Sequence, residues 1–332
     1  MNYTSLEEIF SAFNQMKVLI LGDVMIDSYV WGKVERISPE APVPIIQVKR
    51  KEKRLGGAAN VAKNIQSLGA TPILCSVIGN DLEGDYFIDL LNHRNINGEA
   101  IIRSDHRITT VKERFLSGSQ HILRVDQEEL FKLKQKEEEL LIEKISSLIN
   151  SVQVVIFEDY DKGVLNRKII ETTIQLARKH QVPTIVDPKK KNFISYFGAS
   201  LFKPNLKEIR EGMKIDFDEE DMDSLKKVVS KLRQKLDLQY VLVTLSEKGV
   251  LISGKDSDIH IPAHIRSVSD VSGAGDTVVS IAGLCLGLNL PPKFTAALSN
   301  LGGGLVCEHL GVVSVNKEML LKEAYDNSLF TN

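Results

Sequence analysis

Cysteine is scarce. The 332 residues hold three, Cys75, Cys285 and Cys307, far apart and each in an apolar setting. No pair has metal-ligand spacing, and an odd count gives no disulfide framework. An excess of charge of one sign is lacking too: 42 Lys and Arg stand against 44 Asp and Glu, a formal net charge of -2. No global field therefore draws the chain to nucleic acid or to an acidic membrane. Long apolar runs are absent, so nothing is expected to cross a bilayer. The opening residues include Glu7 and Glu8 and have no cationic, apolar, small-residue pattern of a signal peptide. What remains is the expectation of a cytoplasmic protein with no membrane or nucleic-acid partner. A hydrophobic content of 43% and a charged content of 26% are those of an ordinary globular chain, long enough for one large α/β domain or two smaller ones.

What is present is alternation. Leu6, Ile9, Phe10 and Phe13 share one face of a short helix, and Val18 to Leu21 is an apolar run closed by Gly22 and Asp23. That run predicts a buried parallel strand with a ligand-facing turn at its carboxyl end. Residues 24–48 and about 104–126 have strand character, with Pro39, Pro42 and Pro44 excluding helix, and predict a small sheet apart from the main one. The basic run 49–54 reads as a solvated loop or strand edge. Helices are predicted at 58–68, 81–93, 130–150, 166–180 and 218–236, with strands at 71–77, 152–157, 184–186, 201–203 and 240–244. This pattern implies an α/β fold, a mostly parallel sheet covered on both faces with a small β lid, as one domain over 1–332.

The densest local signal is Asp270-Val271-Ser272-Gly273-Ala274-Gly275-Asp276-Thr277, expected between a strand-like segment and an apolar helix. Small residues let backbone approach a ligand, and N–H groups at a helix start converge on an anion. Asp276 beside such a hole could take a hydroxyl proton, with phosphoryl charge held by the turn. It could equally be a glycine turn with an Asp that stabilises the helix start. Gly56-Gly57-Ala58-Ala59-Asn60 opens another helix. It offers close backbone access and an amide for a hydroxyl, or is simply a tight turn. Asp23 and Asp27 could accept from sugar hydroxyls or be solvated turn residues. Asn205 and Glu208 share a helical face and could meet a hydrated Mg²⁺ and phosphate, or form an ordinary capping pair. Asp187-Pro188-Lys189 ends a strand and could offer a carboxylate and a cation to a charged ligand. Gly249 to Lys255 fits a phosphate-loop spacing, but Asp256 replaces the needed Ser or Thr and the middle is strand-like. Pro262 between His260 and His264 excludes a helical metal pair.

In this order the motifs Gly56 to Asn60, Asn205 to Glu208 and Gly273 to Asp276 resemble the ribokinase-like (PfkB) carbohydrate kinases. Residues 22–27, 36–44, 56–62, Asp159-Tyr160, Lys162-Gly163, Asp187 to Lys189 and Pro204-Asn205 look most like the D-glycero-β-D-manno-heptose-7-phosphate kinases, over about residues 17–320. The resemblance implies ATP-dependent phosphorylation of that sugar at O1 to the 1,7-bisphosphate. Asp276 would act as base, with Gly273, Ala274 and Gly275 forming the anion hole. It places the sugar at Asp27, Gly56, Gly57, Asn60 and polar lid groups, with Lys112, Arg114, Asp187 and Lys189 as further substrate-binding candidates. ATP falls to Asn205, Glu208, Thr244, Ser246 and Gly249, with Asn300 and Gly304 on the adenine side. Mg²⁺ would be held through water by Glu208, and a monovalent cation such as K⁺ near Asp270 and Ser272. A homodimer through the lid is implied as well. Two departures stand out. The bifunctional form carries a nucleotidyltransferase domain with an H-x-G-H motif that these 332 residues lack, so a separate adenylyltransferase is expected. The lid segment 117–121 also stands where related kinases often have Arg-Asn-Gln-Gln, leaving Lys112, Arg114, Arg124 or Lys189 to supply charge. The alternatives are another PfkB sugar kinase, for ribose, fructose or a ketose phosphate, and a non-catalytic sugar- or nucleotide-binding regulator.

Overall fold

Strand and helix patterns alternate because the chain builds one wide sheet and covers both of its faces. The computed structural model describes residues 3–118, 120–264 and 266–329. Helix α1 (Leu6–Phe13), capped by Ser5, leads into strand β1 (Lys17–Gly22). A long hairpin, β2 (Val24–Ile37) and β3 (Pro44–Gly57), precedes α2 (Ala58–Ser67), β4 (Thr71–Gly79), α3 (Leu82–His93) and β5 (Ile101–Ser104). A second hairpin, β6 (Val111–Ser117) and β7 (Gln120–Gln127), is followed by α4 (Gln135–Leu148), β8 (Val154–Glu158), α5 (Arg167–Lys179) and β9 (Thr184–Asp187). Then come β10 (Leu201–Phe202), α6 (Leu206–Met213), α7 (Met222–Lys235), β11 (Tyr240–Thr244), β12 (Val250–Ser253) and β13 (Asp258–Ile261). Three helices close the described chain: α8 (Ala274–Gly287), α9 (Pro292–Cys307) and α10 (Lys317–Asp326).

The main sheet has the order β13-β12-β11-β10-β9-β8-β1-β4-β5. It is parallel from β5 to β11, and β12 and β13 add an antiparallel edge. Along β1, Val18 and Ile20 enter one apolar layer while Leu19 and Leu21 enter the other, the period-two alternation of a strand covered on both sides. Strand order runs outward in opposite directions from the β1–β8 pair, so the crevice at their carboxyl ends is a topological switch point, where such sheets bind ligands. Among the described residues no helix is long and apolar enough to cross a membrane.

The lid is a separate four-stranded sheet, β3-β2-β6-β7, with β2 and β6 parallel and the other pairs antiparallel. Its first hairpin extends past the expected limit of 48 to Gly57, because the basic run 49–54 is itself strand, paired with 27–31. Three cations of that run lie against aromatic rings: Arg50 sits 4.3 Å from the Trp31 ring, Lys53 4.7 Å from that of Tyr86 and Arg54 5.0 Å from that of Tyr29. β3 is a charged edge strand, which discourages further pairing.

Other boundaries shift for local reasons. Helix α4 starts at Gln135 rather than 130, and the Glu137 carboxylate accepts the Lys134 backbone amide there at 2.7 Å. Residue 104, expected in the lid, ends β5 of the main sheet. The strand expected before the Gly273 turn does not form. The amides of Ser269 and Asp270 bond instead to the Cys307 carbonyl at the end of α9. Of the lid turn 117–121, Ser119 lies outside the described residues.

Candidate active site

The carboxyl ends of β1, β8 and β9 and the amino ends of α2 and α8 converge under the base of the lid. Asp276 lies in the first turn of α8, behind Gly273, whose φ of 84° lets the chain turn into the helix. Its carboxylate is buried and accepts two hydrogen bonds, 2.6 Å from Asn60 Nδ2 and 3.1 Å from the Tyr160 hydroxyl. Burial, reinforced by the neighbouring Asp187 charge, raises the carboxyl to about 6 although both hydrogen bonds pull it down. A buried carboxylate poised near neutrality and fixed on two sides suits a general base.

Asn60 is fully engaged. Its amide donates to Asp276 and its oxygen accepts from Lys63 Nζ at 3.0 Å, so it orients the Asp276 carboxylate. Burial, with Arg94 and Arg54 adding to it, depresses Lys63 to about 8. The two glycines before it have distinct tasks. A Cβ on Gly56 would stand 2.2 Å from the Asp27 carboxylate, and one on Gly57, at φ 59°, 2.4 Å from the Asp23 carbonyl. They let the lid hairpin fold back onto the turn after β1. Asp27 in turn pairs with Arg114 of β6 at 2.6 Å.

Asp23 does not face a ligand. Its carboxylate is buried and accepts the backbone amides of Tyr160, Lys162 and Val164, which fixes the loop carrying Tyr160. Lys112 and Lys189 flank the Tyr160 ring, at 5.9 and 5.6 Å. Burial and the Lys162 charge push Lys112 below the usual lysine range, although Asp126 and Glu128 pull it the other way. Arg124, by contrast, is exposed and paired with Asp126 at 2.9 Å.

Further along the same edge, Asn205 and Glu208 form a reciprocal capping pair on α6, at 2.9 and 2.8 Å. The other Glu208 oxygen meets Lys189 at 2.5 Å. Any hydrated cation held by Glu208 must share that carboxylate with Lys189. Burial opposes the charge on Lys189, but Asp187 and Glu208 outweigh it and lift the pKa above its ordinary value. Thr244 bridges to Asn205, while Ser246 (φ 54°) and Gly249 (φ 90°) shape the turn after β11. Asn300 and Gly304 lie on α9. Asn300 donates to the Pro262 carbonyl at 2.9 Å, and Gly304 makes room for the Arg266 guanidinium. Asp270 spends its oxygens on the amides of Ser272 and Gly311, at 2.9 and 3.0 Å.

Three functional candidates escaped the sequence reading. Tyr160 was noticed as part of a motif without a task. Lys203, buried beyond β10, bonds Asp187 at 2.9 Å. Glu158 closes β8 with one oxygen within 4.8 Å of oxygens from both Asp187 and Asp276. In sequence it is a charged residue closing an apolar strand, at the edge where parallel sheets bind ligands, and nothing local separates it from an ordinary turn residue. Both Glu158 oxygens and Asp187 Oδ1 are buried with no hydrogen-bond partner among the described residues. Such a donor set fits a hard divalent cation of the kind phosphoryl transfer uses.

A buried carboxylate at a helix amino end, a switch-point crevice and a β lid are the features of a sugar kinase of ribokinase-like fold. The chain belongs to the pfkB family of carbohydrate kinases, whose family model matches residues 15–318. More particularly, it is 36% identical over 321 residues to the bifunctional protein HldE of Syntrophotalea carbinolica, covering 96% of this chain and 65% of that protein. To HldE of Wolinella succinogenes it is 39% identical over 303 residues, 91% of this chain and 63% of the relative. The chain thus spans slightly under two thirds of the length of these curated relatives. Among solved structures, phosphofructokinase-2 from Escherichia coli in complex with potassium superposes with a TM-score of 0.79 at 17% identity, over 94% of this chain and 98% of that one. Arabidopsis thaliana ribokinase complexed with ribose and ATP superposes with a TM-score of 0.73 at 16% identity, over 92% and 99%. At those identities the likeness is one of fold.

Proposed function

We propose that this carbohydrate kinase transfers the γ-phosphoryl group of ATP to O1 of D-glycero-β-D-manno-heptose 7-phosphate, giving the 1,7-bisphosphate and ADP on the route to ADP-heptose. The observation that carries the reading is Asp276, buried between Asn60 and Tyr160 at the start of α8. In this reading Asp276 takes the O1 proton as O1 attacks the γ-phosphorus and the bond to the ADP oxygen breaks. The N–H groups around Gly273, Ala274 and Gly275 meet the charge on the transferred group. ATP would lie along Asn205, Thr244, Ser246 and Gly249 toward Asn300 and Gly304. Mg²⁺ would supply charge neutralisation beside Glu208, and a monovalent cation would sit near Asp270 and Ser272.

The likeness to HldE supports the heptose, and the lid cations support its phosphate. In this reading Lys112 and Lys189, which flank the Tyr160 ring, and Arg114, paired with Asp27, would make up for the altered segment 117–121. The whole chain would act as one kinase unit, paired with a second copy through the lid. The test is ADP release with a panel of sugars. Turnover should require the heptose 7-phosphate, and Asp276→Asn should bind ATP normally while losing roughly 10²–10⁴-fold in kcat. Efficient turnover of ribose or fructose 6-phosphate with none of the heptose would sink the substrate, and full activity of the variant would remove Asp276 from the mechanism.

A further inference from the structure

We propose that Lys63 is a positioning residue for the proton transfer, holding the Asp276 carboxylate charged and in place through the side-chain amide of Asn60. Lys63 stands three residues after Asn60 on α2, so the two side chains share a face. Its Nζ donates to Asn60 Oδ1 at 3.0 Å, and Asn60 Nδ2 donates to Asp276 Oδ2 at 2.6 Å. An ammonium can only donate and a carboxylate can only accept, so the two ends fix which way the amide faces. The ammonium also draws electron density from Oδ1, which makes the Nδ2 hydrogen a stronger donor to Asp276.

A lysine is costly in this setting. Helix α2 is buried at every residue from Ala58 to Ile65, and Lys63 is 6% exposed. Lysines are rarely so buried unless paired, yet among the described residues no carboxylate lies within ion-pair distance of this one, and the acceptor of its hydrogen bond is the neutral Asn60. A leucine or methionine would fill the same space without desolvating a charge. Burial brings Lys63 down to about 8, with Arg94 at the end of α3 and Arg54 of β3 repelling it, while Asp276 and Asp27 pull it up. It is therefore still charged at neutral pH, where Asp276, at about 6, is ionised. Both ends of the relay carry their charges together in that window. Its meaning for catalysis rests on the reading of Asp276 as the base, and its first test is read without turnover.

The Asp276 carboxyl is followed directly, by carbon-13 NMR of the full chain with labelled aspartate, its signal assigned by the one lost in Asp276→Asn. Lys63→Met, similar in length but uncharged, should move that titration up on the order of one pH unit, and Lys63→Arg should return most of the shift. Circular dichroism checks that each variant folds. In an Asn60→Ala background, where the relay is already broken, Lys63→Met should add only a small part of that shift. In ADP release with the sugar phosphate that turns over, the acid limb of kcat/KM should rise in step for Lys63→Met, with KM for ATP unchanged. An unmoved titration in Lys63→Met, or an equal shift with Asn60 replaced, overturns the relay. A titration that moves while the acid limb stays put would refute Asp276 as the base alone.

Discussion

The Asp276 carboxylate, proposed as the base, is costly to the fold that holds it. Asp276 has a carboxyl raised from 3.8 to about 6 by burial, so the native protein binds this proton more tightly than the unfolded chain does. The group therefore withdraws stability as pH climbs from about 4 to about 6, and its full cost is present above that window. Asp276→Asn should raise Tm at pH 8, with the gain shrinking toward pH 4; a gain that grows on acidification would contradict the assignment. Catalysis has the opposite slope, because only the carboxylate can take a proton. The acid limb of kcat/KM should fall near pH 6. Tyr160→Phe removes a hydrogen bond that holds the carboxyl down, so its limb should move toward neutral pH. An unmoved limb would mean that Tyr160 does not tune the base. Asp276 was legible in sequence because glycines around an acid at a helix start are a local signature. Glu158 and Lys203 were not, since an ion at the end of an apolar run looks like any turn until burial and neighbours are known.

The glycine pair before α2 shows how an element can be recognised for one reason and matter for another. Gly56 is expected to touch sugar, and it also lies against the Asp27 carboxylate, 2.2 Å from where a Cβ would stand. Gly56→Ala should push Asp27 off Arg114, cost roughly 1–3 kcal/mol in a denaturant melt and raise KM for the sugar phosphate more than it lowers kcat. A change confined to kcat would place Asp27 elsewhere in the mechanism. Asn205→Ala should cost about 1 kcal/mol through the lost cap of α6, alongside any loss of nucleotide affinity measured by titration. Helices read well from their apolar spacing and caps. The full length of β3 did not, because its charged residues pair across to β2 and against rings that sequence spacing does not bring together. The missing strand before Gly273 failed for a similar reason: its amides found the end of α9, more than thirty residues away in the chain.

Across the molecule, the crevice is shared by a rigid part and a hinged one. β1, β8 and β9 are locked between two apolar layers, while the lid joins them through the turn at Asp23, Gly56 and Gly57 and is braced across its own sheet by the Asp27–Arg114 pair. Amide exchange of residues 24–57 and 111–127 should slow when sugar phosphate and an ATP analogue bind together, with the β1 and β8 amides already protected in the free protein. Equal protection of the lid with and without ligands would make it a fixed wall. The α/β alternation that predicts the rigid part is a local pattern repeated many times. The lid is built from two hairpins separated by α2, β4, α3 and β5, and only the folded chain reveals that they make one sheet.

The first of those hairpins leaves and re-enters the body at almost one point: the amide of Ala58 bonds the carbonyl of Asp23 at 3.0 Å. Everything between those two residues is a cassette, spliced into what would otherwise be a short strand-to-helix connection. Its exchange for another hairpin would leave the connection from β1 to α2 in register. A fold arranged this way can acquire new acceptor specificity by grafting at a single doorway while its phosphoryl-transfer machinery stays untouched.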